Sequence, residues 1–572
     1  MPISPRARLT QLRTDKRGFV AVMVSAMVIP IFMGSAAMAV DISGWYSQIG
    51  DMQKAADLAA LSGVAHLPTS PSSAYATARQ TAEENGFRAG DGITTSVSPR
   101  LTERPEQLEV TITATITNSF GALIGSPTTT FHRTAVAEMN EPFEVGSPCN
   151  LIGNEPNAGV EGGGPYANGT CPGGSIPRVW AEAAGPDTDK AWGNQKDPRH
   201  CDSGSTDGCN GRSNGEQSKL GHFYKIRVAQ PGALKVQLFD PVLVHVGSSC
   251  QDMASTWSSG NGANPWTTDA KTRYEGGRGA RDARDVPLCT GDNDYGQATR
   301  VNNKAATTFA LRAPGNAPDP MTGPIVCAKQ WAGFSGDLTK LARAGQTGYK
   351  QQLARFWRQW GELCTINAQA GVYYLQVRTN VPKNSDLIAG MNAYADQGAD
   401  WAGKNSYAIR TTLNGSGTGV TVGAANTLAL SLNINGTGAF HMARIGSQNA
   451  GRVVTFNMFD VGDADAGKTG TVQLLAPPDA VGFAGSRIPS CQGSGVVNRK
   501  LADCRLTNVR YEKFNGKSQR LLVTLPPNYR CNDTDPAGCW FRINMKFDGD
   551  GRVFDATSWS IKTASSPIRL IK

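Results

Sequence analysis

The residues with the clearest capacity for chemistry lie between Asp460 and Thr469, in the stretch DVGDADAGKT. Gly462 to Thr469 satisfies the G-x-x-x-x-G-K-T pattern of a phosphate-binding loop. Such a loop works only where it opens a helix whose first amides face the phosphates. Here Gly470 and TVQLLAPP read as a strand ended by prolines, and Asp463 and Asp465 would repel an anionic nucleotide. The acidic side chains suit a hard cation better. Asp460, Asp463 and Asp465 form a carboxylate set for Ca²⁺, and Asp548 with Asp550 in FDGDGR forms a second, sparser one. Neither follows the twelve-residue EF-hand spacing, and Asp and Gly also gather in turns for backbone reasons alone. Ca²⁺ is therefore the single cofactor expectation, with acidic turns between strands as its alternative.

The other reactive side chains are twelve cysteines: Cys149, Cys171, Cys201, Cys209, Cys250, Cys289, Cys327, Cys364, Cys491, Cys504, Cys531 and Cys539. Their even number and the absence of any C-x-x-C spacing favour disulfides over zinc. Pairing sequence neighbours is the simplest arrangement: 149 with 171, 201 with 209, 250 with 289, 327 with 364, 491 with 504, and 531 with 539. No H-E-x-x-H or G-x-S-x-G occurs, and the six histidines sit at unrelated spacings, so no catalytic residue is assigned and the expectation is a non-enzyme. A formal charge of +9 without a long Lys/Arg run argues against a nucleic-acid partner.

These side chains need elements to hold them, and 65 glycines and 32 prolines with 18% charged residues point to loop-rich β structure. Residues 141–220 read as a Gly/Pro/Asn-rich, disulfide-pinned connector. Strand patterns then follow at 222–229, 233–246, 372–379 and 406–412, and again at 427–434, 439–445, 452–461, 471–477, 520–526 and 539–548. Phe223 to Asp240 parallels Phe440 to Asp460, offset by 217 residues at the phenylalanine and 220 at the aspartate, which reads as an internal repeat. Two tandem β-sandwich-like domains, 221–415 and 416–572, are expected. Leu353, Phe356, Trp357, Trp360 and Leu363 keep helical spacing and predict a helical insertion packed on the first.

The compartment is set by the N-terminus. Gly18 to Val40 is 23 residues without a charge, about 34 Å as a helix and enough to cross a hydrocarbon core. Arg6, Arg8, Arg13, Lys16 and Arg17 precede it, whereas Lys54 is the sole basic residue in the twenty that follow, so residues 1–17 are a cytoplasmic tail and the rest is extracytoplasmic. Ala37-Met38-Ala39 also fits a signal-cleavage site, an alternative to a retained single-pass anchor. Beyond Asp41 and the pair Trp45-Tyr46, the helix continues through Gln53, Ala55, Ala56, Asp57, Ala59, Ala60 and Gly63, whose small-xxx-small spacing admits another helix. A helix at 72–85, a strand at 108–116, a short turn at 120–124 and a strand at 129–137 complete an α+β module at 41–140.

The order Arg17-Gly18, apolar span, Asp41, aromatic pair and Gln53-Lys54-Ala55-Ala56-Asp57-Leu58-Ala59-Ala60-Leu61-Ser62-Gly63 resembles the N-terminal module of TadE/TadG-like Tad/Flp pilus-assembly proteins, over about residues 17–140. Prepilin-like members of that system are cut after a Gly and carry Glu at the fifth mature position; cutting after Gly18 would place Met23 there, so an uncleaved anchor is expected. The resemblance implies a non-catalytic part in building a pilus or related surface structure, with other envelope proteins met through the N-terminal helix. The alternative is a surface adhesin or carbohydrate-binding protein that uses the sandwiches, whose ligand the sequence does not name.

Overall fold

The computed structural model describes residues 16–67, 71–102, 107–139, 142–153, 179–199, 201, 209, 213–218, 220–245, 290–293, 306–315, 319–334, 339–342, 347–348, 350–379, 402–435, 437–463, 468–548, 552–563 and 568–571. They fall into two compact units, one within 1–140 together with 565–572 and the other within 141–564.

The smaller unit is built on a helix of 49 residues, α1 (Lys16–Val64), with Pro30 inside it. Over its first half the described side chains are exposed and apolar, Phe32 at 71% for example, and this half is long and apolar enough to cross a membrane. From Met52 onward the same helix buries Ala55, Ala56, Ala59, Ala60 and Val64. Facing them is α2 (Pro71–Glu84), which contributes Ala74, Ala78 and Ala82 at a four-residue period. Behind lies an antiparallel sheet of β1 (Thr94–Leu101), β2 (Gln107–Thr117) and β3 (Thr128–Met139). Alternate residues Leu108, Val110, Ile112 and Ala114 of β2 point into the shared core, as their period of two requires. A fourth strand, Ile568–Leu570, pairs with β3, and Arg569 binds Glu138 through Nη2 to Oε2 at 2.7 Å. The chain end therefore belongs to this unit and corrects the expectation that everything from 416 to 572 is sandwich; an ion pair to a fully buried glutamate carries the placement.

The larger unit is a double layer of strands. Its early segment supplies β4 (Glu144–Val145), β5 (Leu151–Ile152) and β6 (Val179–Ala184). The first strand set is β7 (His222–Val228), β8 (Gly232–Phe239), β9 (Ala306–Arg312), β10 (Ile325–Ala332), β11 (Trp360–Ala368), β12 (Gly371–Thr379), β13 (Lys404–Leu413) and β14 (Val420–Ala425). The second set is β15 (Thr427–Asn435), β16 (Thr437–Arg444), β17 (Val453–Phe459), β18 (Gly470–Leu475), β19 (Ser490–Gly495), β20 (Lys500–Ala502), β21 (Arg505–Val509), β22 (Ser518–Thr524), β23 (Trp540–Phe547) and β24 (Arg552–Thr563). One sheet runs β10-β9-β12-β7-β14-β4-β16-β23-β18-β21 and the other β11-β8-β13-β6-β15-β24-β17-β22-β19-β20, with β5 paired to β13.

Both sheets are thus continuous across the two strand sets, and one apolar core lies between them. The joints are β4, between β14 and β16, and β6, between β13 and β15. Parts of the expected connector are therefore central strands, because short buried segments such as Val179–Ala184 can fill both faces with apolar and hydrogen-bonded groups. The expected helical insertion is corrected as well. From Gln351 to Leu363 the helix is confined to Gln351–Ala354; Arg358 takes φ 51°, which ends the turn, and Trp360 begins β11 opposite Phe239. Phe356, Trp357, Trp360 and Leu363 are nonetheless buried, from a turn and a strand in place of a helix face.

Disulfides close the layer at its edges. Cys327 of β10 joins Cys364 of β11, the edge strands of the two sheets on one side. Cys491 of β19 joins Cys504, next to β21, on the other. Cys201–Cys209 and Cys531–Cys539 are local loops. Cys149 is disulfide-bonded, while Cys171, Cys250 and Cys289 lie outside the described residues.

Candidate functional site

Where α1 leaves its apolar half, Asp41 turns its carboxylate onto the loop between β2 and β3. Oδ1 accepts the amide of Ser119 at 2.8 Å, Oδ2 accepts those of Phe120 at 3.0 Å and Gly121 at 2.8 Å. Burial opposes ionisation, but the three amides prevail and hold Asp41 below the usual carboxylate range. One turn further on, the Trp45 indole donates to Asn118 Oδ1 at 2.8 Å and its ring tilts against Phe131. Helix and loop are clamped together at two successive turns.

The alanine-rich motif lies just beyond this clamp. Gln53 Nε2 donates to Asp57 Oδ1 at 2.7 Å and reaches the carbonyl of Thr134, tying the helix to β3. Gly63 is the closest approach: a β-carbon there would stand 2.5 Å from Leu108 Cδ2 and 2.7 Å from the Ala74 carbonyl oxygen. The small face expected to admit another helix receives the chain's own α2 together with the sheet, Ala55, Ala56, Ala59 and Ala60 all being buried there. What α1 leaves exposed is its apolar first half, where Gly34 has open space around it.

The acidic residues of the larger unit do different work. Asp460 is buried at φ 58° just after β17; its amide donates to the Lys517 carbonyl and Oδ1 accepts the Gly516 amide at 2.6 Å. Asp240, φ 51° after β8, does the same with the Gln359 carbonyl and the Arg358 amide at 2.9 Å, and Thr290 donates to its Oδ2. The two Phe-Asp ends are thus equivalent turn clamps. Burial pushes Asp240 up to about 7, and drives Asp292, beside it, well above the carboxylate range, with Asp240 adding to the effect.

Around Asp460 a larger polar group is buried. Asp463 is raised by burial to about 7, partly offset by Lys404, and Asp555 is raised by burial and by Asp463. Lys404 Nζ lies 3.7 Å from Glu182 Oε2 and donates to Ser431, which donates to the same glutamate at 2.6 Å. Among the described residues, Asp463 Oδ1 and Asp555 Oδ1 have no hydrogen-bond partner. Asp465 and Asp550 lie outside the described residues, and Asp548 is exposed. Among the described residues, the one trio of ligand atoms within 4.8 Å of each other is Asp479, Cys531 and Cys539, whose sulfurs form a disulfide. After the phosphate-loop pattern comes β18, a strand, so no helix N-terminus faces it.

A cleft of 830 Å³ opens along the joint made by β4, lined among others by Glu144, Asn150, Arg227, Thr421, Arg444 and Asp533. Arg227 and Arg444 occupy equivalent places in the two parallel segments noted in the sequence. Arg227 Nε bonds Glu144, and Arg444 Nη2 donates to the Asp533 carbonyl at 2.6 Å. Although burial opposes it, Arg227 and Lys225 hold Glu144 below its ordinary range. Guanidinium, amide and hydroxyl groups stand among its lining beside Pro148, Val228, Ala229, Val372 and Val420.

Residues 18–66 match the model of the Tad family, "Putative Flp pilus-assembly TadE/G-like". That segment covers the apolar half of α1, the Asp41 clamp and the alanine face through Gly63. No curated protein and no solved structure matches the chain. Sequence reasoning placed Asp41 and Trp45 in order but missed their contact with 118–121, since it spans almost eighty residues. It took Asp240 and the segments holding Arg227 and Arg444 as parts of a repeat without giving them a structural role.

Proposed function

We propose that this chain is a single-span envelope protein with its N-terminus in the cytoplasm, its module and β-body outside, and a non-catalytic part in assembling a Tad/Flp-type pilus or related surface structure. The observation that carries this reading is the coincidence of the family match with the stretch where an exposed apolar helix turns into a packed, clamped module. The basic residues before α1 support the orientation, and the disulfides support an oxidising compartment. Partners meet it through the exposed half of α1, the alanine face being occupied. Deleting the gene should abolish piliation, and the wild-type gene should restore it. Protease added to intact spheroplasts should digest the β-body and spare the basic tail; full piliation of the deletion strain would overturn the role.

The β-body is read as two copies of one seven-strand unit. Matching orders support this: β10-β9-β12-β7 beside β21-β18-β23-β16 in one sheet, and β11-β8-β13 beside β22-β17-β24 in the other. The cleft at the joint favours a second reading, an adhesin that binds a polar saccharide there. Full-length protein assayed on immobilised glycans separates the two, since loss of binding in Arg227→Ala with piliation intact would favour the adhesin.

A further inference from the structure

We propose that the loop Asn118–Ile124 of the module seats on the lipid interface of the same membrane that α1 crosses. The inference rests on the reading of α1 as a membrane span. Asp41 is the first charged residue after the apolar run, and Trp45 follows four residues, or about 6 Å of helix rise, later. Both are bonded to Asn118–Gly121, so the loop is held at the level where the span ends. The interfacial layer on each side of the hydrocarbon core is about 5–7 Å deep, which is the depth those two anchors define.

Composition and exposure agree with that depth. From Asn118 to Phe131 the sequence NSFGALIGSPTTTF holds no charged residue. Phe120 is 41% exposed although its backbone is pinned by Asp41, so its ring is presented outward from a fixed point. The strand ends Thr94, Thr117 and Thr128 lie at the same end of the sheet, as their pairing with Ala114 and with each other shows, and Ile93 beside them is 53% exposed. Tyr46, also exposed, stands on α1 one residue past Trp45. Aromatic rings at this level belong to the membrane-water boundary, where their apolar bodies and polar edges are both satisfied. A module with this contact is held against the bilayer at two places, the helix and the loop, and cannot pivot freely about α1.

The full chain, reconstituted in vesicles of phosphatidylcholine and phosphatidylglycerol, would carry photoreactive benzoylphenylalanine in place of Phe120 or, as reference, of Phe32. Irradiation should give lipid adducts at both positions. Adducts at 32 with none at 120, or with 120 crosslinked only to a second protein chain, would overturn the loop's seat and leave the span standing. No adduct at either position would overturn the span and the proposal with it. In Asp41→Ala the lipid adduct at 120 should fall several-fold while that at 32 stays constant; an unchanged yield at 120 would overturn the clamp as what sets the depth.

Discussion

The membrane-proximal module and the β-body bury their interiors by opposite means. The module packs alanine on alanine: Ala55, Ala56, Ala59 and Ala60 of α1 meet Ala74, Ala78 and Ala82 of α2, with Gly63 at the tightest point. Its core gains from closeness and carries few charges. The body packs large rings, Trp180, Trp357, Trp540 and Trp559 among them, and also takes Lys404, Glu182, Asp240, Asp292, Asp460 and Asp555 out of water. Buried charge of this kind is costly unless each group finds partners, so the body depends on its network and its covalent staples where the module depends on shape.

If that contrast holds, the largest effect comes from the body's edge. Replacing Cys327 and Cys364 with alanine opens a link that spans 37 residues and ties one sheet to the other, and chain entropy alone makes the loss about 4 kcal/mol. Hydrogen exchange of the full chain should show β10 and β11 losing protection while α2 and β2 keep theirs. Equal loss in both units would break the comparison. Gly63→Leu attacks the other side. With a backbone oxygen and Leu108 already within 3 Å of a β-carbon, the added side chain should cost the module about 3 kcal/mol and leave the body's exchange unchanged.

A finer test concerns the closing strand. Arg569→Ala leaves Glu138 fully buried without its cation, at a cost of about 2–3 kcal/mol because Arg569 itself is partly exposed. Protection of β3 should fall first. If β16 and β23 respond in its place, the chain end serves the body. Within the module, Ile568 pairs with Met139 at the end of the sheet opposite the loop at 118–124.

Much of this was legible in the residues, for physical reasons that differ by region. An alanine period of four and an alternation such as Leu108 to Ala114 each report a local geometry, so α1, α2, β2 and β3 were within reach. The long strands of the body were legible in the same way. Their neighbours were not, because which strand sits beside which is decided by contacts far apart in the chain, and β4 and β6 are short segments in turn-rich sequence. The stripe Leu353 to Leu363 misled because an aromatic turn leading into a strand repeats apolar residues at three and four, as a helix does. Of the candidate site, the motif residues and the approach of another helix to them were plain, but not that α2 of the same chain supplies that helix.

A last test follows from acidity, through Asp240, Asp463 and His222 of the body and Asp41 and Asp91 of the module. Asp240 and Asp463, raised by burial to about 7 from 3.8, bind protons more tightly folded than unfolded. Their contribution to stability is complete below pH 3.8 and is lost as pH rises through about 7. Burial works against His222, but Asp197 outweighs it and raises its pKa, so its contribution too is lost on going alkaline. Asp41 and Asp91 in the module are lowered, and theirs is present above 3.8 and lost only as pH falls below it. Above about pH 6.5, beyond the range in which His441, lowered by burial to about 4, contributes with the opposite sign, the body should therefore soften by up to about 1.4 kcal/mol per pH unit for each proton released, while the module stays level. Hydrogen exchange at several pH values, corrected for intrinsic rates, reads both units in one sample. A module that weakens in step with the body over that range would mean that the buried carboxylates are not what distinguishes them.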